Sequence, residues 1–188
     1  MKRSISTVLA TLAFGAAALA SAGPVAGSAA AAPAGTATSQ AEASGERAGN
    51  RRDFDRFLER YADANSAFLN GDPGPWLEMA TQRDPASIFG GFGGLGSAGV
   101  ENVNQRYLLA ATAFQPSGAQ VDIEYLVKDV EGRLGYTVAI ETADVLYTGQ
   151  AELHHQVLRV TMMFRFEHGE WKIIHRHADT MVELELPS

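Results

Sequence analysis

The feature that most constrains the fold is the segment of residues 158–179, in which two apolar runs flank the dipeptide His168-Gly169. Both runs are rich in β-branched and aromatic residues, and glycine readily adopts positive φ, so the segment predicts a tight β-hairpin. If the loop has two residues, side chains alternate strictly between the two faces of the hairpin. The pattern then predicts an inner face made by Val160, Met162, Phe164, Phe166, Trp171, Ile173, His175 and His177.

Two imidazoles mark the far end of this inner face. Counting outward from the turn pairs Met162 with His175 and Val160 with His177. A sheet with one apolar face packs helices against that face, so the site is expected where the apolar surface ends, beside the two histidines. The outer face is mixed and basic, and it is predicted to carry Arg159, Thr161, Met163, Arg165, Lys172, Ile174 and Arg176.

Composition excludes several functions. The chain has 188 residues, of which 46% are hydrophobic and 20% charged, an ordinary balance for one globular domain with additional segments. It contains no cysteine, which excludes disulfides, thiolate metal sites and a cysteine nucleophile. The formal net charge of -7 argues against nucleic acid and anionic membrane surfaces as partners.

Residues 1–22 have the pattern of a cleavable signal peptide. A basic start at Lys2 and Arg3 precedes an apolar run and the small residues Ala20-Ser21-Ala22. The run is shorter than the roughly 20 apolar residues that span a bilayer, which argues against a membrane anchor. We therefore expect cleavage after Ala22, although later Ala and Ser residues offer other sites. The mature protein is expected to be secreted or extracytoplasmic and free of the membrane.

Two further segments follow the predicted signal. Residues 23–49 contain almost no large apolar side chain, so they cannot bury enough surface to offset the entropy of ordering and predict a disordered linker. Residues 50–186 are predicted to form the folded domain. Helical periodicity occurs first, at residues 51–70, 76–82 and 100–114, with a short strand at 86–89. Strands then dominate, at residues 121–128, 134–146, 151–167 and 170–180. This order predicts an α+β fold with three N-terminal helices packed on an antiparallel sheet.

Within this order of elements lie several characteristic segments: Gly71-Asp72 with Trp76, and residues 87–94, 136–141, 158–161 and 169–177. With these segments the chain resembles the NTF2-like superfamily and, more specifically, its SnoaL-like proteins of unknown function. The superfamily includes polyketide cyclases, ketosteroid isomerases and the association domain of calmodulin-dependent kinases. The resemblance covers roughly residues 51–179 and implies a cone with a curved sheet, whose open end is a small-molecule pocket; many similar proteins form dimers through their sheets.

The chain departs from the isomerases within this resemblance. Their general base is an Asp just after the first short strand, where this sequence has Gly90. Their hydroxyl donor on the first helix corresponds to Ala64, with Tyr61 about one turn away. Because proton abstraction at carbon needs both a base and an oxyanion donor, isomerase chemistry is not expected. The sequence identifies no catalytic residue.

His175 and His177 are the sharpest chemical signal. Two imidazoles on one strand face could chelate a metal with His154, His155 or Glu141, could act as a base and its partner, or could be hydrogen-bonded pocket or core residues. The last interpretation is favoured because spacing fixes no third ligand and the similar proteins are usually metal-free, so neither a metal nor a cofactor is expected. The candidate ligand pocket comprises Trp76, Tyr107, Glu141, Met162, His175, His177 and Asp179.

Three functions remain open from the sequence. The domain could bind a small apolar or mildly polar molecule without catalysis. It could be a cyclase, isomerase or hydrolase that uses a pocket histidine with Asp179 or Glu141. It could also be a structural, partner-binding dimer. The predicted outer face is too apolar at Thr161, Met163 and Ile174 to be a bare solvent surface, which favours a homodimer through that face.

Overall fold

The structure is a computed structural model that describes the backbone of residues 35–180 and the side chains of residues 50–180. The predicted signal peptide and residues 23–34 lie outside this part of the chain. Three helices are present in it: α1 (Gly35–Phe68), α2 (Gly74–Met79) and α3 (Val100–Ala111). The described helices include none that is long and apolar enough to cross a membrane. The strands are β1 (Ser87–Phe89), β2 (Ser97–Ala98), β3 (Phe114–Gln115), β4 (Asp122–Glu131), β5 (Leu134–Tyr147), β6 (His154–Glu167) and β7 (Glu170–Thr180).

Helix α1 is longer than its apolar pattern predicts. Residues 35–49, which were expected to be disordered, form its first turns, and their Ala, Gln, Glu and Arg residues have high helix propensity. From residue 50 onward the predicted apolar stripe is confirmed, with Phe54, Phe57 and Tyr61 buried. The turn after the helix contains Gly71 at φ +87°, where a Cβ atom would lie 3.1 Å from the carbonyl oxygen of Phe114. Glycine is therefore required at this turn.

The sheet has the strand order β2-β1-β7-β6-β5-β3, and β4 also pairs with β5. The predicted antiparallel meander from β4 to β7 is confirmed. The sheet also contains a parallel pair that the prediction did not include, because β1 pairs parallel to β7. As a result, the chain just after β1 lies beside the far end of the β6–β7 hairpin.

The β6–β7 hairpin follows the predicted register only as far as Phe164, which pairs with Ile173. A bulge follows, so that Met163 pairs with His175 and Met162 with Arg176. Because one extra residue moves every later side chain to the opposite face, the predicted pairs Met162–His175 and Val160–His177 are wrong. The inner face beyond the bulge instead carries Arg176 and Ala178.

The core is closed at the turn end of the hairpin by aromatic rings. Phe54 on α1 makes edge contacts with Phe164 and Trp171, with ring centroids 5.1 Å and 4.9 Å apart. Phe57 contacts Phe164 at 5.5 Å. The N-terminal half of the described α1 side chains therefore fills this end of the fold, and open space remains at the opposite end.

Candidate functional site

A cavity of about 400 Å³ occupies the opposite end of the fold. Its volume lies within the range of small-molecule pockets, and its lining is mostly apolar with a few polar groups, as is usual for such sites. The second half of α1, helix α2, helix α3, strand β6 and the glycine-rich segment after β1 all contribute. The lining residues are Asn65, Phe68, Leu69, Trp76, Ile88, Gly90, Gly91, Phe92, Arg106, Tyr107, Leu109, Ala110, Thr112, Ala113, Phe114, Gln156, Leu158 and Arg176.

The cavity wall is built around Trp76 on α2. The indole ring lies 5.3 Å from the ring of Phe68 and 5.4 Å from that of Tyr107, measured between centroids. Phe92 lies on the other side against Phe114, at 5.6 Å. Rings packed in this way have few alternative conformations, so the wall is largely preformed before any ligand enters.

The floor of the cavity is a buried ion pair between Arg176 and Glu141. Arg176 Nη2 donates to Glu141 Oε2 at 2.8 Å, and Nη1 donates to Oε1 at 3.0 Å. The Tyr61 hydroxyl donates to Oε1 and accepts from Arg176 Nη1 at 2.8 Å. Asn65 Nδ2 donates to Oε2 at 3.1 Å. We call these four residues the floor cluster.

Both members of the pair are charged in the folded protein. Burial raises the pKa of the Glu141 carboxyl, but the charge and hydrogen bonds of Arg176, with those from Tyr61 and Asn65, outweigh it and hold the pKa below its usual value. Burial lowers the pKa of Arg176, but the opposing effects of Glu141 and the neighbouring tyrosines are larger and hold the pKa above its usual value. The floor cluster therefore carries two opposite charges that cancel.

Several polar atoms of the cavity have no protein partner among residues 50–180. A guanidinium has five N–H donors, and the bonds from Arg176 to oxygen acceptors use two on Nη1 and one on Nη2. Nε–H and the second Nη2 hydrogen are left over. Asn65 Oδ1 accepts no hydrogen bond within this part of the chain, since the recorded bond of this side chain uses Nδ2. Burial raises the pKa of the Tyr107 hydroxyl to about 12, so this group is neutral and can donate.

The glycine-rich segment after β1 forms the mouth of the cavity. Arg106 on α3 donates from Nη2 to the carbonyl oxygen of Gly93. A Cβ atom at Gly91 would lie 3.3 Å from the side chain of Leu158 on β6, so the segment approaches the sheet closely because it lacks side chains. Phe92, which is half exposed, is the large side chain of this segment beside the opening.

The predicted pocket residues divide into two groups. Trp76 and Tyr107 lie in the cavity wall. Glu141 belongs to the floor cluster, and Met162 is buried beneath it with its sulfur 3.8 Å from Arg176 Nη1. These four residues are brought together by α2, α3, β5 and β6.

His175, His177 and Asp179 do not line the cavity, which corrects their predicted place. The bulge turns them to the outer face of the sheet. His175 Nδ1 lies 2.8 Å from Ser87 Oγ, and Asp179 accepts two hydrogen bonds from Arg159, at 2.9 Å and 2.8 Å. Groups of three or more possible metal ligands are absent from the described residues 35–180.

Sequence reasoning missed Tyr61, Asn65 and Arg176 as site residues. The inward position of Glu141 indicates that such partners lie nearby, because a buried carboxylate needs a cation or several hydrogen-bond donors. Tyr61 and Asn65 are four residues apart on α1 and therefore project from one helix face. Arg176 could not be assigned to the same site without knowledge of the bulge.

Comparison with known proteins agrees with this architecture. Residues 96–183 match the family model described as the SnoaL-like domain. No curated protein matches the sequence.

Three solved structures illustrate the likeness. An NTF2-like superfamily protein from Salmonella enterica has 13% identity and a TM-score of 0.59, with 72% of this chain and 93% of that chain covered. A protein provisionally named as a dehydratase of the NTF2-like family, from Streptomyces avermitilis, has 15% identity and a TM-score of 0.58, with 71% and 99% covered. A protein provisionally named as a scytalone dehydratase, from Novosphingobium aromaticivorans, has 13% identity and a TM-score of 0.56, with 71% and 85% covered. At such identities the structures show the fold alone. Residues 96–183 therefore match a SnoaL-like domain model, and the described chain has the NTF2-like fold.

Proposed function

We propose that this protein binds a small, largely apolar molecule in the cavity and does not transform it chemically. The observation that carries the proposal is a cavity of about 400 Å³ with packed aromatic walls and a floor already fixed by hydrogen bonds. A preformed site of this kind loses little conformational entropy on binding, which favours affinity.

The chemistry of the lining supports binding over catalysis. Among the described residues, neither a carboxylate nor an imidazole lines the cavity. Glu141 lies beneath it with a lowered pKa and four hydrogen bonds from neighbouring side chains, which makes it a poor base. Gly90 occupies the position of the isomerase base in the sequence comparison, and it lies in the cavity wall without a side chain. The dehydratase names of two structural neighbours are therefore not extended to this chain.

We also propose that the protein is exported and acts as a homodimer. Export is supported by the leader pattern of residues 1–22. Dimerisation through the outer sheet face is supported by large apolar side chains exposed there, since Tyr136 and Met163 pair across β5 and β6 and are each 43% exposed. The homodimer would cover these side chains and leave the cavity accessible.

A cavity-filling substitution tests the binding proposal. Ala110→Phe places a ring in the cavity from α3 and should abolish binding of an apolar probe such as naphthalene, measured by isothermal titration. Leu108→Phe is the matched control, because Leu108 lies on the same helix, is half exposed and does not line the cavity. Unchanged naphthalene affinity in Ala110→Phe, with both variants folded, would place binding outside the cavity and refute the proposal.

A further inference from the structure

We propose, on the basis of the binding function above, that the cavity selects neutral ligands that carry a hydroxyl group. The ligand oxygen accepts a hydrogen bond from Arg176, and the ligand hydrogen is donated to Asn65 Oδ1. The aromatic or aliphatic body of the ligand lies against the ring of Trp76.

The first support is the position of the two polar side chains. Asn65 Nδ2 and Arg176 Nη2 both contact Glu141 Oε2, at 3.1 Å and 2.8 Å, so the two side chains are immediate neighbours. Both line the cavity, although each is almost fully buried. A single ligand group at the floor can therefore reach both.

The second support is hydrogen-bond valence. The carboxylate accepts only, so Asn65 must turn its NH₂ group toward Glu141, which leaves Oδ1 as an acceptor. Arg176 has only donors, and two of them have no acceptor among the described residues. A hydroxyl group donates one hydrogen bond and accepts others, so it satisfies both side chains. A carbonyl oxygen would satisfy Arg176 alone and leave Asn65 Oδ1 unpaired.

The third support is charge. Arg176 is already neutralised by Glu141, and its guanidinium also lies 5.3 Å from the centroid of the Trp76 ring. A carboxylate bound at the floor would add a second buried negative charge next to Glu141, and the floor offers no further cation from residues 50–180 to balance it. Burying an unbalanced charge is costly. The other guanidinium of the cavity, that of Arg106, is at the mouth and is bonded to Gly93. The floor therefore discriminates against anions although it contains an arginine.

Three probes of similar shape test this inference: naphthalene, 2-naphthol and 2-naphthoate at pH 7. We expect 2-naphthol to bind about 30-fold more tightly than naphthalene, because each of the two net hydrogen bonds contributes roughly 5-fold. We expect 2-naphthoate to bind more weakly than 2-naphthol. Equal affinities for naphthalene and 2-naphthol would overturn the inference and leave cavity binding intact. Tighter binding of 2-naphthoate would overturn the charge argument, whereas binding of none of the three would also overturn the proposed function.

A pair of variants locates the hydroxyl contact. Asn65→Leu removes Oδ1 and should reduce the preference for 2-naphthol over naphthalene by roughly 5-fold, because Arg176 still donates to the ligand oxygen, while naphthalene still binds. Gln156→Leu is the control, because Gln156 is a polar lining residue outside the floor cluster, and it should keep the full preference. If Gln156→Leu loses the preference for 2-naphthol and Asn65→Leu keeps it in full, the ligand hydroxyl contacts Gln156 and not Asn65, which would overturn the inference. If Asn65→Leu fails to fold, the three-probe comparison on the unchanged protein still decides the inference.

Discussion

Replacing Arg176 with Met should strongly destabilise the protein at neutral pH. The substitution keeps much of the side-chain length but removes the only cation among residues 50–180 that contacts Glu141, which is 4% exposed. It also removes two of the four side-chain hydrogen bonds that Glu141 accepts. Breaking a buried ion pair from one side typically costs about 3–5 kcal/mol of unfolding free energy. Tyr61 and Asn65 still donate hydrogen bonds to Glu141 in the variant and partly stabilise its charge. We therefore expect a loss in the lower part of that range, about 3–4 kcal/mol.

The pH dependence of this loss identifies its cause. In the unchanged protein the folded-state pKa of Glu141 is lowered, so its stabilising contribution is present above the unfolded value of about 4.3 and is lost as the pH falls through the folded value. In Arg176→Met, burial without the cation should raise the folded-state pKa above that of the unfolded chain. The loss of unfolding free energy relative to the unchanged protein should then be smallest below about pH 4. The variant should lose stability as the pH rises through the raised pKa.

Urea unfolding at pH 4 and pH 7 measures both effects, with Glu141→Leu/Arg176→Met as the control. Replacing both charges leaves no buried unpaired ion, so the double variant should be more stable at pH 7 than Arg176→Met alone. A loss below about 1 kcal/mol for Arg176→Met that is equal at both pH values would refute the description of a buried, charged pair.

Trp171→Ala should cost about 3–5 kcal/mol of unfolding free energy, because this ring closes the core against Phe54. His175→Gln should cost less than about 1.5 kcal/mol and leave naphthalene binding unchanged, since His175 faces the outer side of the sheet. Comparable melting losses in the two variants would contradict this difference. N-terminal sequencing of protein exported by its own host should begin near Gly23, and a start at Met1 would contradict export. Light scattering should show a dimer at micromolar concentration that Met163→Lys dissociates, whereas a monomer in the unchanged protein would contradict the proposed interface.

Much of the fold follows from periodicity. The apolar stripe of α1 and the change to strand alternation after α3 are long patterns, and tertiary packing agrees with them. The hairpin turn at His168-Gly169 and the pair Phe164–Ile173 are also confirmed. The parallel pairing of β1 could not be predicted, because a three-residue strand carries too little pattern to specify its partner.

The candidate site was less predictable because it depends on a single residue of strand register. Ile174 is apolar and partly buried, so it suits either face of the hairpin and gives no sign that the register shifts beside it. Strict alternation therefore put His175 and His177 inside and Arg176 outside. The buried position of Glu141 does indicate a cationic partner, and a search for one on the neighbouring strands would have tested Arg176 as an inner residue.

A crystal structure of the protein saturated with 2-naphthol tests the central claim most directly. The account predicts the naphthalene ring in the cavity against Trp76, with the hydroxyl oxygen within hydrogen-bond distance of Arg176 and Asn65. A ring bound on the outer face of the sheet beside His175 and His177, with the cavity free of 2-naphthol, would contradict the account.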